Sequence, residues 1–384
     1  MARKKVERNI SYDSERKRYY VTLQFGSDEN NKPVKKTETF KTITEARKAL
    51  RAHEAKRERG ETKKPSPTTL EQWLSYWMTN IIIPQRAATT AYGYQNMIDN
   101  HIVPQLGSTP LQKLTPQKIQ EYYTHLHTTI GLSNNTVRKH HDLLRTALSL
   151  AVRQDIIFSN PCERVEAPKV KPPKRSFYSP ADLSRLLQCA EGHRLEPLIC
   201  LAAYLGLRRE EACGLRWSDL DFEEHTIRIE AARTVAGGKV IEKETKTVSS
   251  TRYLYMPPEL EDVLLTEHAR QLDDRAFLGD EYTYTNHVLV WNDGRPYRPN
   301  YLSELFTNFI NANNLPPLTL HGLRHTFASL ANRSGATMYD ISKALGHSRE
   351  GTTSMIYTHV FDDTHQDTIT RVASSISKRK HPIQ

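Results

Sequence analysis

Four short stretches in the second half of the chain concentrate side chains able to hold an anion and move protons. They are GLRREEACGLRWSDLD (206–221), TKTVSSTRYLYMP (245–257), HGLRHTFAS (321–329) and LGHSREGTTSMIYTHV (345–360). The side chains of interest are Arg208, Glu211, Lys246, His321, Arg324, His347 and Tyr357. Two guanidinium forks can bind oxyanions bidentately and stay charged at any working pH. Histidine and lysine can take or give a proton, and a phenol with a reference pKa of about 10 becomes a nucleophile once its proton has an acceptor. Taken singly, each motif is weak: an H-x-x-R on a helix is usually a surface pair, and a lone tyrosine near a C-terminus usually packs. Their joint occurrence decides.

In order and spacing the four stretches resemble the tyrosine recombinase (phage integrase) family, in particular integrases of phages and conjugative transposons. The family signature is two arginines, a lysine, two histidines and a nucleophilic tyrosine. The resemblance places the first arginine on Arg208, since G-L-R-x-x-E-x-x-x-L is met by Gly206, Leu207, Arg208, Glu211 and Leu215. It places the lysine on Lys246 in T-K-T, the H-x-x-R pair on His321 and Arg324, and G-H-x9-Y on Gly346, His347 and Tyr357.

It implies that Tyr357 attacks a DNA phosphodiester to give a 3′-phosphotyrosyl link and a free 5′-hydroxyl, which a partner strand's 5′-hydroxyl then reverses. Arg208 and Arg324 would bind the non-bridging oxygens in place of a metal, with His347 as a third donor. His321 would accept or orient the tyrosine proton, Lys246 would protonate the leaving 5′ oxygen, and Glu211 would hold Arg208 from one helical turn away. No cofactor, metal or ATP is implied, because the bond energy is retained.

Neighbouring residues compete for these roles. Lys243 is the alternative to Lys246, and Arg208 could instead be a cation satisfying helix-end carbonyls. Arg209 is expected to be exposed, Trp217 to lie in a core, and His325 and His359 to pack or cap. Two other readings of the function stay open: a chromosome-dimer resolving or type IB topoisomerase-like use of the same site, and a catalytically silent DNA-binding regulator. An N-terminal DNA-binding segment argues against the first, and the complete set of site residues against the second.

The elements that must position these groups fall into three parts. Residues 1–64 hold nineteen Lys/Arg against ten Asp/Glu, which accounts for nearly all of the chain's net charge of +10 and favours a polyanionic partner. There, 19–25 and 34–40 alternate as a strand hairpin, and a charged helix runs from 44 to 60. Lys17, Arg18, Lys35 and Lys36 are candidate DNA contacts, as are Arg138 and Lys139 further on. The resemblance likens this part to a small three-stranded arm-binding domain. Residues 65–170 read as an all-helical core-binding domain, with helices starting near Leu70 and spanning 90–103, 115–127 and 135–154.

Residues 171–384 read as a mainly α catalytic domain with a small antiparallel sheet. Strands are expected at 226–230 and 252–256 around a Gly237-Gly238 turn, and helices at 301–312, 323–334, 338–345 and 362–377. The last of these, with its stripe of Ile369, Val372 and Ile376, is expected to dock on a neighbouring protomer or on its own domain. Cys162, Cys189, Cys200 and Cys213 lack zinc or disulfide spacing, and no stretch suits a signal or membrane span, so a cytoplasmic protein is expected. Double-stranded DNA at core and arm sites, a homotetramer, an excisionase and a host DNA-bending protein are the partners the resemblance implies.

Overall fold

A computed structural model describes residues 3–27, 33–58, 67–170, 177–244 and 251–346. The chain divides into two compact units, Met1–Pro172 and Pro173–Gln384.

The first unit opens with a four-stranded antiparallel sheet in sequential order, where the resemblance implied three strands. The strands are β1 (Lys4–Glu7), β2 (Ile10–Asp13), β3 (Arg18–Ser27) and β4 (Pro33–Phe40). Strand alternation puts Ile10, Val21 and Leu23 on one face, where they bury against Ala46 of helix α1 (Ile43–Glu58). The extra strand, KKVE, lacks an apolar alternation, which is why its sequence does not announce it.

The helical part has its own core. α2 (Leu70–Trp77) starts in a capping box between Thr69 and Gln72, and buries Leu70, Trp73, Leu74 and Trp77. It continues through a π-helical turn, Met78–Ile82, into α3 (Ile83–Gln85); likewise α4 (Ala88–Met97) continues through Ile98–Ile102 into α5 (Val103–Leu106). Both widened turns precede a proline, Pro84 or Pro104, whose missing N–H and bulky ring an α-helical ladder would not accept. α6 (Pro116–Thr128) and α7 (Asn134–Arg153) complete the bundle. Val137, Leu144 and Leu148 are buried on α7, and the indole of Trp73 donates to the carbonyl of Ala147 at 3.0 Å. Val152, near the end of the same helix, is half-buried.

In the second unit Ser179 caps α8 (Pro180–Ala190) through a capping box with Asp182. α9 (Glu196–Leu205) is apolar nearly all round and buried, and α10 (Arg209–Gly214) follows after a short turn. β5 (Leu220–Asp221), β6 (Thr226–Ile229) and β9 (Arg252–Tyr255) form one sheet in the order β5-β6-β9. The expected strands therefore pair with each other, but the Gly237-Gly238 turn joins a different hairpin, β7 (Ala231–Ala236) with β8 (Lys239–Glu244). α11 (Pro258–Leu278) is a helix that the sequence reading did not mark. α12 (Pro299–Ala312), α13 (Leu320–Arg333) and α14 (Met338–Leu345) then build the site. The segment expected to form a helix at 362–377 lies outside the described residues. Among the described residues no helix is long and apolar enough to cross a membrane.

Candidate active site

Arg208 is placed by the end of one helix and the start of the next. Gly206 terminates α9 in the left-handed region at φ 60°. A Cβ there would come within 2.7 Å of Phe327 Cδ1 and 2.8 Å of Leu345 Cδ2, so both conformation and space require glycine. Arg208 follows in extended backbone as the residue before α10. The carboxylate of Glu211 reaches back to accept its backbone N–H at 2.9 Å and its Nη1 at 2.6 Å. An acceptor in the first helical turn satisfies an otherwise orphaned N–H and favours the positive end of the helix.

α13 begins with Thr319, whose hydroxyl accepts the Gly322 N–H at 3.0 Å, and this cap sets His321 and Arg324 one turn apart on one face. His321 is exposed, and its ring meets that of buried His325 edge to face at 4.5 Å. Arg324 is only 2 % exposed. Its Nη1 donates to the Gly206 carbonyl at 2.7 Å and its Nη2 to the Leu345 carbonyl at 2.6 Å, tying the carboxyl ends of α9 and α14 together.

Three guanidiniums converge on the last carbonyls of α14, a natural target because a helix C-terminus carries unpaired acceptors and partial negative charge. Arg252 Nε donates to Ala344 at 2.8 Å, Arg324 to Leu345, and Arg208 Nη2 to Gly346 at 3.0 Å. The helix-end role weighed against a chemical one for Arg208 is thus physically present. Its side chain is nevertheless 37 % exposed, and it lines a cleft of about 450 Å³ with Arg209, Ser303, His321 and Arg324.

Glu211 is the shared counter-ion. Besides the two Arg208 bonds it accepts from Arg252 Nη1 at 3.2 Å and Nη2 at 2.9 Å, and Arg324 Nη1 lies 4.0 Å away. Burial alone would push its carboxyl up, but the hydrogen bonds and charge of Arg252, then of Arg208, reverse this and hold it at about 2.

Residues 177–364 match the phage integrase family, and residues 69–127 match the phage integrase N-terminal SAM-like domain. The chain belongs to the phage integrase family. This integrase is 27% identical over 383 residues to a XerC-like tyrosine recombinase of Caldanaerobacter subterraneus, an alignment covering 92% of this chain and 96% of that one. It is 26% identical over 281 residues to the ICEBs1 integrase of Bacillus subtilis, covering 71% and 75%. In fold it is similar to the Tn1549 transposon integrase solved in complex with a circular intermediate DNA, at TM-score 0.67 and 21% identity, over 79% of this chain and 99% of that one. The integrase is accordingly a site-specific DNA recombinase with a tyrosine recombinase fold.

The structure gathers Arg208, Glu211, His321 and Arg324. Lys246, His347 and Tyr357 lie outside the described residues, as does His359. In sequence Lys246 falls between the end of β8 and the start of β9, while its competitor Lys243 sits in β8 opposite Ala232. Arg209, expected exposed, is half-buried between Ser303 Oγ at 2.8 Å and Glu210 Oε1 at 2.6 Å. Trp217 is half-buried at the margin of the core, its indole donating to Gln271 Oε1 at 2.9 Å.

Arg252 was missed by the sequence reading. The available signal was strand alternation: Tyr253 and Tyr255 point outward, so Arg252 and Leu254 point inward, and an inward arginine needs a buried acid.

The candidate DNA contacts do not share one face. Register places Arg18 and Lys35 on the open face of the first sheet, opposite Asp13 and Gln24, whereas Lys36 lies opposite core residue Leu23 and pairs with Glu38 at 2.7 Å. Lys17 is in the exposed turn between β2 and β3. On α7, Arg138 pairs with Asp142 at 3.0 Å while Lys139 is exposed.

Proposed function

We propose that this integrase integrates and excises a mobile DNA element by cutting duplex DNA through Tyr357 and rejoining it from the 3′-phosphotyrosyl intermediate. The observation that carries this reading is the cleft where Arg208, His321 and Arg324 meet over buried Glu211. Its side chains suit an anion that gains charge during reaction, and the chain leads directly from Gly346 into His347. Lys246 acts as general acid toward the 5′ oxygen, and His321 assists removal of the Tyr357 proton.

Duplex DNA is the partner, a reading supported by the transposon integrase held on circular intermediate DNA. Residues 1–64 take arm sites, 65–170 core sites and 171–384 carry the chemistry. Separate hydrophobic clusters in the first two parts support that division. Arg18, Lys35, Lys17 and Lys139 contact phosphates, with Lys36 and Arg138 reaching them only by leaving their acid partners. A homotetramer synapses two duplexes in the cytoplasm, and an excisionase and a host bending protein set direction.

Tyr357→Phe tests the reading. On a nicked suicide duplex carrying the core site from the DNA beside the gene, the variant binds like the wild type and forms no covalent adduct. Adduct formation by the variant refutes the assignment of the nucleophile.

A further inference from the structure

We propose that Arg252 is a positioning residue for strand cleavage, which holds Glu211 and the end of α14 so that Arg208 meets the scissile phosphate. This rests on the phosphotyrosyl reading above and names a further part of the same site.

All three guanidinium nitrogens of Arg252 face inward. Nη1 and Nη2 form a fork on the two oxygens of Glu211, at 3.2 and 2.9 Å, and Nε donates to the Ala344 carbonyl at 2.8 Å. The side chain is 10 % exposed, and the cleft lined by Arg208, His321 and Arg324 does not include it. Its three nitrogens are thus already committed to protein acceptors, and the side chain borders a separate cleft with Tyr253, Lys343 and Gly346. A lysine could not reproduce the arrangement, because one ammonium cannot form a planar fork on a carboxylate and a further bond to the Ala344 carbonyl in the same fixed geometry.

Its position gives the contact reach. Arg252 is the first residue of β9, a strand paired with β6. Through Glu211 it fixes both the backbone and the guanidinium of Arg208, and through Ala344 it fixes the turn that ends at Gly346, one residue before His347. A second observation points the same way. Gly346 ends α14 at φ 62°, and a Cβ on it would lie 2.7 Å from Arg252 Nη1, so the turn is shaped to the guanidinium as well as held by it.

What Arg252 orients acts on the non-bridging oxygens, and this separates positioning from mere support of the fold. The full chain is compared with Arg252→Gln and Arg252→Lys on two nicked duplexes, one with an ordinary scissile phosphate and one with a neutral methylphosphonate there. On the phosphate, Arg252→Gln should form the Tyr357 adduct on the order of 10–100-fold more slowly, the size expected when a partner that orients a reacting group is lost. DNA affinity should stay within about 2-fold, since all three of its guanidinium nitrogens are taken up by protein acceptors. Arg252→Lys should recover little. On the methylphosphonate, which is neutral before attack and keeps a single non-bridging oxygen to gain charge, the gap between wild type and Arg252→Gln should narrow to within about 3-fold.

Wild-type adduct rates for Arg252→Gln on the phosphate overturn the proposal, as does an equal deficit on both duplexes, which is what a loosened fold produces. Absence of any Tyr357-dependent adduct from the wild type instead refutes the phosphotyrosyl reading itself.

Discussion

Replacing Glu211 by glutamine removes one negative charge and leaves nearly the same shape, so its effect isolates the electrostatics of the site. The folded chain holds the Glu211 carboxyl at about 2, against an ordinary 4.5, and a shift of that size corresponds to ~3 kcal/mol favouring the folded, ionised form at neutral pH. The sign follows from the depression: the contribution is present above 4.5 and is lost as pH falls from 4.5 through 2. Glu211→Gln should therefore lower the unfolding free energy by ~3 kcal/mol at pH 7, in line with leaving buried guanidiniums without their counter-ion. In a unit of this size that is a fall in thermal midpoint of about 6–12 °C. By pH 3 the gap between variant and wild type should shrink to about half. Urea and thermal unfolding at pH 7, 5 and 3 would measure it. A variant as stable as wild type at pH 7, or a gap that does not change with pH, would show that Glu211 is not the counter-ion of this cluster. Suicide-substrate cleavage should fall on the order of 10–100-fold, because Arg208 loses the acceptor that aims it.

Two further outcomes follow from groups whose surroundings are equally specific. His140 is buried beside Tyr122, whose hydroxyl lies 2.9 Å from its Nδ1; burial, helped by His101, pushes its pKa down to about 4. Because the folded form resists the proton, stability is full above 6.5 and should fall by ~3 kcal/mol as pH drops from 6.5 to 4. His140→Phe should flatten that part of the unfolding profile, and an unchanged profile would contradict it. Gly346→Ala should cost ~1–2 kcal/mol for the left-handed backbone alone. It should also slow cleavage through its clash with Arg252, measurable as a rate deficit larger than any change in DNA affinity.

Much of this architecture is readable from the chain wherever local chemistry and burial agree. Thr69 and Ser179 each stand before an apolar periodicity with a polar residue three positions on, so their helices start where the sequence says. α14 runs from Met338 to Leu345 as its spacing requires. The 21-residue α11 was illegible for a physical reason. Its inward positions are Leu260, Leu264, Glu267 and Gln271, and the last two are satisfied by polar bonds, Glu267 to Arg270 and Gln271 to the Val288 carbonyl. A stripe half made of polar residues gives no apolar period to find. Pairing of β6 with β9 was hidden in another way: the β7-β8 hairpin is inserted between them, and the glycine turn signals only that local pair. In the site, motif spacing identified Arg208, Glu211, His321 and Arg324 as candidates, but the second arginine on Glu211 comes from a strand with no motif of its own.

The cluster also has a charge that suits its proposed task. Arg208, Arg252 and Arg324 with Glu211 sum to a formal charge of +2, held partly or wholly out of water. Such an imbalance is costly to bury, and the carbonyls of Gly206, Ala344, Leu345 and Gly346 offset only part of it with their partial charges. A purely structural cluster would be more stable with a second acid or with apolar side chains of the same volume. A phosphodiester brings one negative charge in its ground state, and more builds on its non-bridging oxygens as the phenol attacks. A site left two charges short of neutrality is therefore complemented better by the transition state than by the bound DNA, and only that difference accelerates cleavage. On this argument the excess positive charge is a cost to the free protein that binding offsets in part and reaction offsets further. A Glu211→Gln variant, with its formal +3, is less stable without gaining rate, since the added charge comes with an arginine no longer aimed.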